Sequence, residues 1–102
     1  MINIISKEMN FPQTQVSAVI QLLDQGSSIP FIARYRKEQT GSLDEVAIAD
    51  IRDRMEQLNT LADRKEVILK SLKERDLLTQ KLFEDIQNAS SMTNLEDMYE
   101  KY

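Results

Sequence analysis

The sequence contains no cysteine and no histidine. The first absence excludes disulfides, thiolate nucleophiles and cysteine-ligated zinc, and the second removes the commonest general base and transition-metal ligand. Carboxylates remain as ligands for Mg²⁺ or Ca²⁺, but the chain has no spaced acidic loop of the kind that binds these ions. The composition therefore predicts a protein that is not an enzyme and that has no cofactor and no metal site.

Glycine and proline are scarce, with two of each in 102 residues, so few positions interrupt a helix. A length of 102 residues suits one domain, and a content of 41% hydrophobic and 29% charged residues is ordinary for a globular protein. The chain shows no signal peptide and no apolar run near the roughly 20 residues of a membrane span. We therefore expect a single domain over residues 1–102 that is cytoplasmic and does not bind membranes.

Tryptophan is absent and tyrosine occurs three times, so the sequence shows no obvious row of aromatic platforms for single-stranded bases. The net charge is −4, which disfavours simple electrostatic capture of nucleic acid. The charge is unevenly distributed, however. Residues 1–37 carry four basic and two acidic groups, and residues 64–81 carry six basic and three acidic groups. A local basic surface on an acidic protein would come from these two segments.

The first forty residues predict short helices. Residues 2–9 and about 12–25 form two helices with a tight joint, which resembles half of a helix-turn-helix. Pro12 suits the first turn of the second helix, and Gly26 suits its C-terminal stop. A third short helix follows, with an apolar face formed by Phe31, Ile32 and Tyr35.

A very long helix is predicted in the second part of the chain. Ser42 to Glu45 fits a capping box, and no helix breaker follows until about Asp76. The apolar positions keep three- and four-residue steps, interrupted only at Lys65. Two shorter helices follow N-caps at Thr79 and Thr93, and the buried face of the first is expected at Leu82, Phe83 and Ile86. Since no alternating strand pattern is present, the prediction is an all-α fold of five or six helices with a helix-turn-helix-like N-terminal part.

Two basic clusters are candidates for nucleic-acid contacts. The first consists of Arg34, Arg36 and Lys37, and the second of Lys70, Lys73 and Arg75. Guanidinium groups match phosphate oxygens, which favours binding. In the alternative interpretation, the first cluster pairs with acidic residues of the long helix or with helix-end carbonyls. For the second cluster, the alternative is a solvated helix end where cations are favoured by the helix dipole.

The second half of the long helix is apolar on more than one side, through Leu61, Ile68, Leu69 and Leu72. Only two short helices follow to cover it. Exposed contiguous apolar surface normally finds a partner, and a symmetric dimer is the commonest solution. We therefore expect a weak homodimer of the isolated chain, although the ammonium group of Lys65 opposes it.

Residues 29–45, with the runs Ile-Pro-Phe-Ile-Ala-Arg-Tyr-Arg-Lys-Glu and Thr-Gly-Ser-Leu-Asp-Glu, resemble the N-terminal region of the Tex family. Similar motifs occur at residues 16–26, 58–72 and 95–99. Tex proteins are bacterial RNA-binding transcription accessory proteins, several times longer than this chain, in which a C-terminal OB-fold domain is the expected main RNA-binding element. The resemblance leaves open whether the chain is a piece of a longer protein or a short natural relative, and it implies that the partners of the longer protein are RNA or DNA and the transcription machinery. Two features depart from the family. Asp76 stands where the family usually has glycine, and residues 100–102 are Glu-Lys-Tyr where it usually has Leu-Pro-Tyr followed by a strongly basic segment.

The function implied by the resemblance is a non-catalytic helical scaffold that positions nucleic-acid-binding domains located elsewhere. Two alternatives stay open on the sequence. The first alternative is a direct nucleic-acid-binding, helix-turn-helix-like module that uses Arg34, Arg36 and Lys37. The second is a helical adaptor whose long helix recruits a protein partner.

Overall fold

The computed structural model describes all 102 residues, which form seven helices and no strand. The helices are α1 (Ile2–Met9), α2 (Gln13–Asp24), α3 (Ile29–Tyr35), α4 (Lys37–Thr40), α5 (Glu45–Glu74), α6 (Gln80–Gln87) and α7 (Met92–Tyr99). The all-α prediction with one long helix is confirmed. The structure has seven helices instead of the expected five or six, because Arg36 leaves the helical conformation (φ −127°, ψ 31°) and separates α3 from the single turn of α4. None of the helices has the length and apolar content needed to cross a membrane.

The chain forms two compact units, Met1–Leu58 (unit 1) and Asn59–Tyr102 (unit 2), and each has its own apolar core. The core of unit 1 contains Ile5, Val16, Val19, Leu22, Ile32, Ile48, Ile51 and Leu58. The core of unit 2 contains Leu61, Ile68, Leu72, Leu82, Ile86, Ala89 and Leu95. Helix α5 contributes to both cores because its sequence runs across the boundary between the units. One domain over residues 1–102 and a helix-turn-helix-like arrangement of the first helices stay predictions.

The end of α2 follows the sequence prediction. Gly26 lies in the left-handed region (φ 91°), where a side chain would be strained. The N–H of Ser27 donates to the carbonyl of Leu22, and that of Gly26 to the carbonyl of Leu23, both at 3.0 Å. This pattern is a Schellman motif, which satisfies the last carbonyls of the helix.

The capping boxes predicted at Ser42 and Thr93 are wrong. Asp44 caps α5, because its Oδ1 accepts from the N–H of Ala47 at 2.8 Å. Ser42 lies in the left-handed region (φ 64°) and donates its N–H to the carbonyl of Lys37, so it completes α4 instead of starting α5. Likewise, Ser91 caps α7 by accepting from the N–H of Asn94, two residues before Thr93. The N-cap predicted at Thr79 is confirmed.

Helix α5 ends in the same motif as α2, but without glycine. Asp76 takes the left-handed conformation (φ 55°). Leu77 donates its N–H to the carbonyl of Leu72 at 2.9 Å, and Asp76 donates to that of Lys73 at 3.1 Å. The position at which the Tex family usually has glycine is therefore one that requires a positive φ.

Ion pairs between helices tie the ends of each unit to α5. In unit 1, Arg54 donates to both carboxylate oxygens of Glu8 at 2.7 and 2.9 Å. In unit 2, Arg64 donates to Glu96 at 2.6 and 3.3 Å, and these hydrogen bonds lower the pKa of the Glu96 carboxyl. The Lys65 ammonium, which interrupts the apolar row, donates to the carbonyl of Gln87 at 2.8 Å. Its partial burial lowers the pKa of Lys65.

The apolar surface expected on the second half of α5 is covered. Leu61, Ile68 and Leu72 are buried, since they share the core of unit 2 with residues of α6 and α7. The exposed seam on which the weak homodimer was premised is therefore absent at these three residues, and Leu69 is partly buried against the same core. The two short helices suffice because each contributes fully buried leucine or isoleucine side chains against α5.

Phe83 and Phe31 are more exposed than the sequence predicts. Phe83 is 38% exposed, because α6 buries Leu82 and Ile86, and a neighbouring residue on a helix points about 100° away. In α3 the buried residue is Ile32, whereas Phe31 is 37% exposed for the same reason. The short helices thus present an aromatic side chain to solvent next to the residue that they bury.

Candidate nucleic-acid interface

Helix α3 holds two aromatic rings on the surface of unit 1. Pro30 lies in its first turn, and the Ser28 side chain caps the helix by accepting from the N–H of Phe31 at 3.3 Å. Phe31 and Tyr35 are four residues apart and therefore lie on the same side of the helix. Their ring centroids are 5.3 Å apart and the rings are tilted by 48°, which is a favourable aromatic geometry. Tyr35 is 60% exposed.

Arg36, the residue that follows α3, contacts this aromatic pair through its guanidinium group. Its guanidinium carbon lies 4.8 Å from the centroid of the Phe31 ring, a cation–π contact. Its Nη1 donates to the carbonyl of Tyr35 at 3.0 Å. The sequence left open whether this cluster binds nucleic acid or contacts acidic residues and helix-end carbonyls of the same chain. Arg36 makes the contact with a helix-end carbonyl, that of Tyr35.

None of the ion pairs of the structure involves the first basic cluster. The ion pairs of the structure join other residues, namely Arg52 to Asp53, Arg54 to Glu8 and Arg64 to Glu96. Arg34 and Lys37 are exposed, and together with Tyr35 and Arg36 they line a shallow, mainly polar depression that also includes Glu38 and Gln39. The structure thus brings Arg34, Arg36 and Lys37 together around Tyr35. Their role in nucleic-acid binding stays a prediction.

The second basic cluster is divided in the structure of unit 2. Lys70 and Lys73 line one depression, with Leu69, Asp76, Leu78 and Phe83. Arg75 is turned to the end of the chain, where its Nη1 donates to the carbonyl of Tyr102 at 3.0 Å and its guanidinium lies 5.8 Å from the centroid of the Tyr99 ring. Arg75 is therefore engaged within the chain, while Lys70 and Lys73 are exposed.

The exposed aromatic pair is a feature that the sequence prediction missed. A signal for it is present in the sequence of α3. Ile29, Ile32 and Ala33 already form a complete stripe with three- and four-residue spacing, and all three are wholly or partly buried. A seven-residue helix that buries this stripe must present Phe31 and Tyr35 elsewhere. No group of acidic side chains is placed to hold a metal ion.

Comparison with known proteins adds to this geometry. The family model of the Tex-like protein N-terminal domain matches residues 1–73. The transcriptional accessory protein Tex of Neisseria gonorrhoeae is 43% identical over 99 residues, which is 97% of this chain and 13% of that protein. The uncharacterized protein YdcI of Bacillus subtilis is 44% identical over 98 residues, or 96% of this chain and 14% of that protein. The human S1 RNA-binding domain-containing protein 1 is 24% identical over 102 residues, which is 10% of its length. These matches confirm the resemblance carried by residues 29–45, and the chain spans about 13–14% of the length of the two bacterial relatives.

Proposed function

Because the chain belongs to the Tex-like protein N-terminal domain family, we propose that it is a non-catalytic helical scaffold of a Tex-type transcription accessory protein. In this role it positions elements that bind RNA or DNA and that lie elsewhere in such a protein. The names of two relatives support the proposal, since one is a transcriptional accessory protein and the other contains an S1 RNA-binding domain. A cytoplasmic location and contact with the transcription machinery belong to the same proposal.

The observation that carries the proposal is that one uninterrupted helix supplies both apolar cores. Helix α5 has 30 residues, and its buried side chains belong first to unit 1 and then to unit 2. Arg54 attaches α1 to the first part of this helix, and Arg64 attaches α7 to the second. These two ion pairs hold α1 and α7 on one common helix, which suits a chain that carries other elements.

The charged side chains offer no arrangement for acid–base catalysis. Adjacent carboxylates such as Glu84 and Asp85 diverge by about 100° on a helix, so they do not converge on one substrate. Glu96, the carboxylate whose pKa departs from its ordinary value, is shifted downward by Arg64 and already has a structural partner. These contacts support the non-catalytic part of the proposal.

The scaffold role is tested by reconstitution in trans. The Tex protein of Neisseria gonorrhoeae is prepared without the segment that matches this chain, and binding of the chain to the remainder is measured by isothermal titration calorimetry. We expect saturable one-to-one binding to the truncated relative and none to the intact relative, whose own segment occupies the site. Absence of binding to the truncated protein would contradict the scaffold role.

A second arm separates the scaffold from a direct nucleic-acid module. The isolated chain is titrated into fluorescein-labelled RNA and duplex DNA at near-physiological salt, and fluorescence anisotropy is recorded. We expect only weak binding, because the net charge is −4 and Arg75 is engaged within the chain. Submicromolar binding that is lost in the double variant Arg34→Glu, Arg36→Glu would overturn the scaffold interpretation in favour of the module.

A further inference from the structure

Tyr35 is the most exposed aromatic side chain of the protein, at 60%, compared with 48% for Tyr102 and 38% for Phe83. Although the Tyr35 ring is exposed, contacts with neighbouring side chains hold it in position. The Phe31 ring packs against it, and Arg36 lies over Phe31 while it holds the Tyr35 carbonyl. A ring that is fixed in place before binding loses little conformational freedom when a ligand stacks on it.

Cations line the same depression as this ring and form no ion pair. Arg34 precedes Tyr35 and Lys37 follows Arg36, and the side chains of both are solvent-exposed in the depression that Tyr35 lines. Glu38 is the one acidic residue in this depression, so the lining carries three positive charges and one negative charge. An aromatic platform flanked by unpaired cations is the arrangement that binds a base together with its neighbouring phosphates.

We propose that Tyr35 is a stacking platform for one base of single-stranded nucleic acid, with Arg34 and Lys37 as the phosphate contacts. Arg36 acts as a positioning residue, because its guanidinium is engaged with Phe31 and with the Tyr35 carbonyl. Single strands are favoured over duplexes, since the faces of paired bases are hidden within the stack. The mainly polar lining of the depression favours this ligand over an apolar peptide. The proposal is independent of the scaffold role and adds a weak contact to it.

The test uses the intact chain, labelled with ¹⁵N, and follows amide chemical shifts during titration with the RNA hexamer rA6. We expect shifts concentrated at residues 29–39 and a dissociation constant of about 10⁻⁴ M at near-physiological salt. A 12-base-pair RNA duplex and inorganic polyphosphate serve as the two reference probes, and both should bind more weakly at these residues.

Variants separate stacking from charge. Tyr35→Ala should weaken rA6 binding roughly 5- to 150-fold, which corresponds to about 1–3 kcal/mol per stacked base. Tyr35→Phe should retain binding, and Tyr102→Ala, the matched control in unit 2, should leave it unchanged. Circular dichroism of each variant verifies the fold, which an exposed tyrosine is not expected to affect.

Salt dependence distinguishes the phosphate contacts from the positioning residue. Each of Arg34→Gln and Lys37→Gln should reduce the slope of log K against log salt by about 0.7, the value per phosphate of a single strand. Arg36→Gln should weaken binding and leave this slope unchanged. Equal binding of rA6 and polyphosphate, wild-type affinity of Tyr35→Ala, or no shifts at millimolar RNA would each overturn the proposal.

Discussion

Replacing Asp76 with glycine should stabilise unit 2, because this residue ends α5 in a conformation that disfavours its side chain. Asp76 has φ 55°, and the Schellman hydrogen bonds of Leu77 and Asp76 close the helix around it. Glycine adopts this conformation without steric cost. The hydrogen bonds are made by the backbone, so the substitution retains them.

Two contributions determine the size of the effect. The left-handed conformation costs an L-residue about 1–2 kcal/mol, and somewhat less for aspartate. Glycine removes this cost from the folded state, but the greater conformational freedom of the unfolded chain lowers the stability by about 0.4–1 kcal/mol. Removing a negative charge from a helix C-terminus adds about 0.3–1 kcal/mol in favour of the variant. The net expectation for Asp76→Gly is a gain of about 1 kcal/mol in the free energy of unfolding.

Urea unfolding followed by circular dichroism measures this gain, with Asp76→Asn and Asp76→Ala as matched variants. Asp76→Asn removes the charge and keeps a side chain that tolerates a positive φ, so it should recover only the electrostatic part. That part should shrink at 1 M salt, where the Debye length is about 3 Å. Asp76→Ala should fall below Asp76→Asn, because alanine is strained in this conformation. If Asp76→Gly is no more stable than the wild type, the backbone argument is refuted.

Three further expectations follow from the same structure. Ile32→Ala should lower the free energy of unfolding by about 2–5 kcal/mol, considerably more than Phe31→Ala, because Ile32 is fully buried whereas Phe31 is 37% exposed. Urea unfolding of the two variants gives the comparison, and equal losses would contradict this difference in burial. The lowered pKa of Glu96 means that its pairing with Arg64 stabilises the fold above the ordinary glutamate pKa of about 4.3 and that this stabilisation disappears as pH falls through the lower folded value. The difference in urea midpoint between wild type and Glu96→Gln should therefore be present at pH 6 and decrease as the pH is lowered below the ordinary glutamate pKa, and a difference that does not change with pH would show that charge pairing is not its cause. Sedimentation equilibrium should show a monomer up to high micromolar concentration, since Leu61, Ile68 and Leu72 are buried, and a concentration-dependent dimer would restore the earlier expectation.

Local signals predicted the helices well where one residue decides the outcome. Gly26 ends α2 and Thr79 begins α6 as expected, because a glycine at positive φ and a threonine N-cap each act within one turn. The same reasoning was wrong at Ser42 and Thr93. A neighbouring side chain that caps equally well, Asp44 or Ser91, competes for the same free N–H groups, and spacing alone does not rank the two.

The candidate site shows the same division. The sequence predicted Arg34, Arg36 and Lys37 as a basic cluster, and the structure brings them together around Tyr35. It did not predict that Phe31 and Tyr35 face solvent. Their spacing of four residues fits a buried stripe as well as an exposed one, and only the competing stripe of Ile29, Ile32 and Ala33 indicates which one is buried.

The sequence by itself determined the fold class, the long helix and the family, because apolar spacing, the scarcity of glycine and proline and the run at residues 29–45 are local properties. Only the tertiary structure decided which side of each short helix is buried and whether the second half of α5 is covered. Both depend on which apolar surfaces meet after the chain has folded back. A helix such as α3 or α6 carries two apolar stripes about 100° apart, and the neighbouring helix buries the one whose side chains fill the shared core.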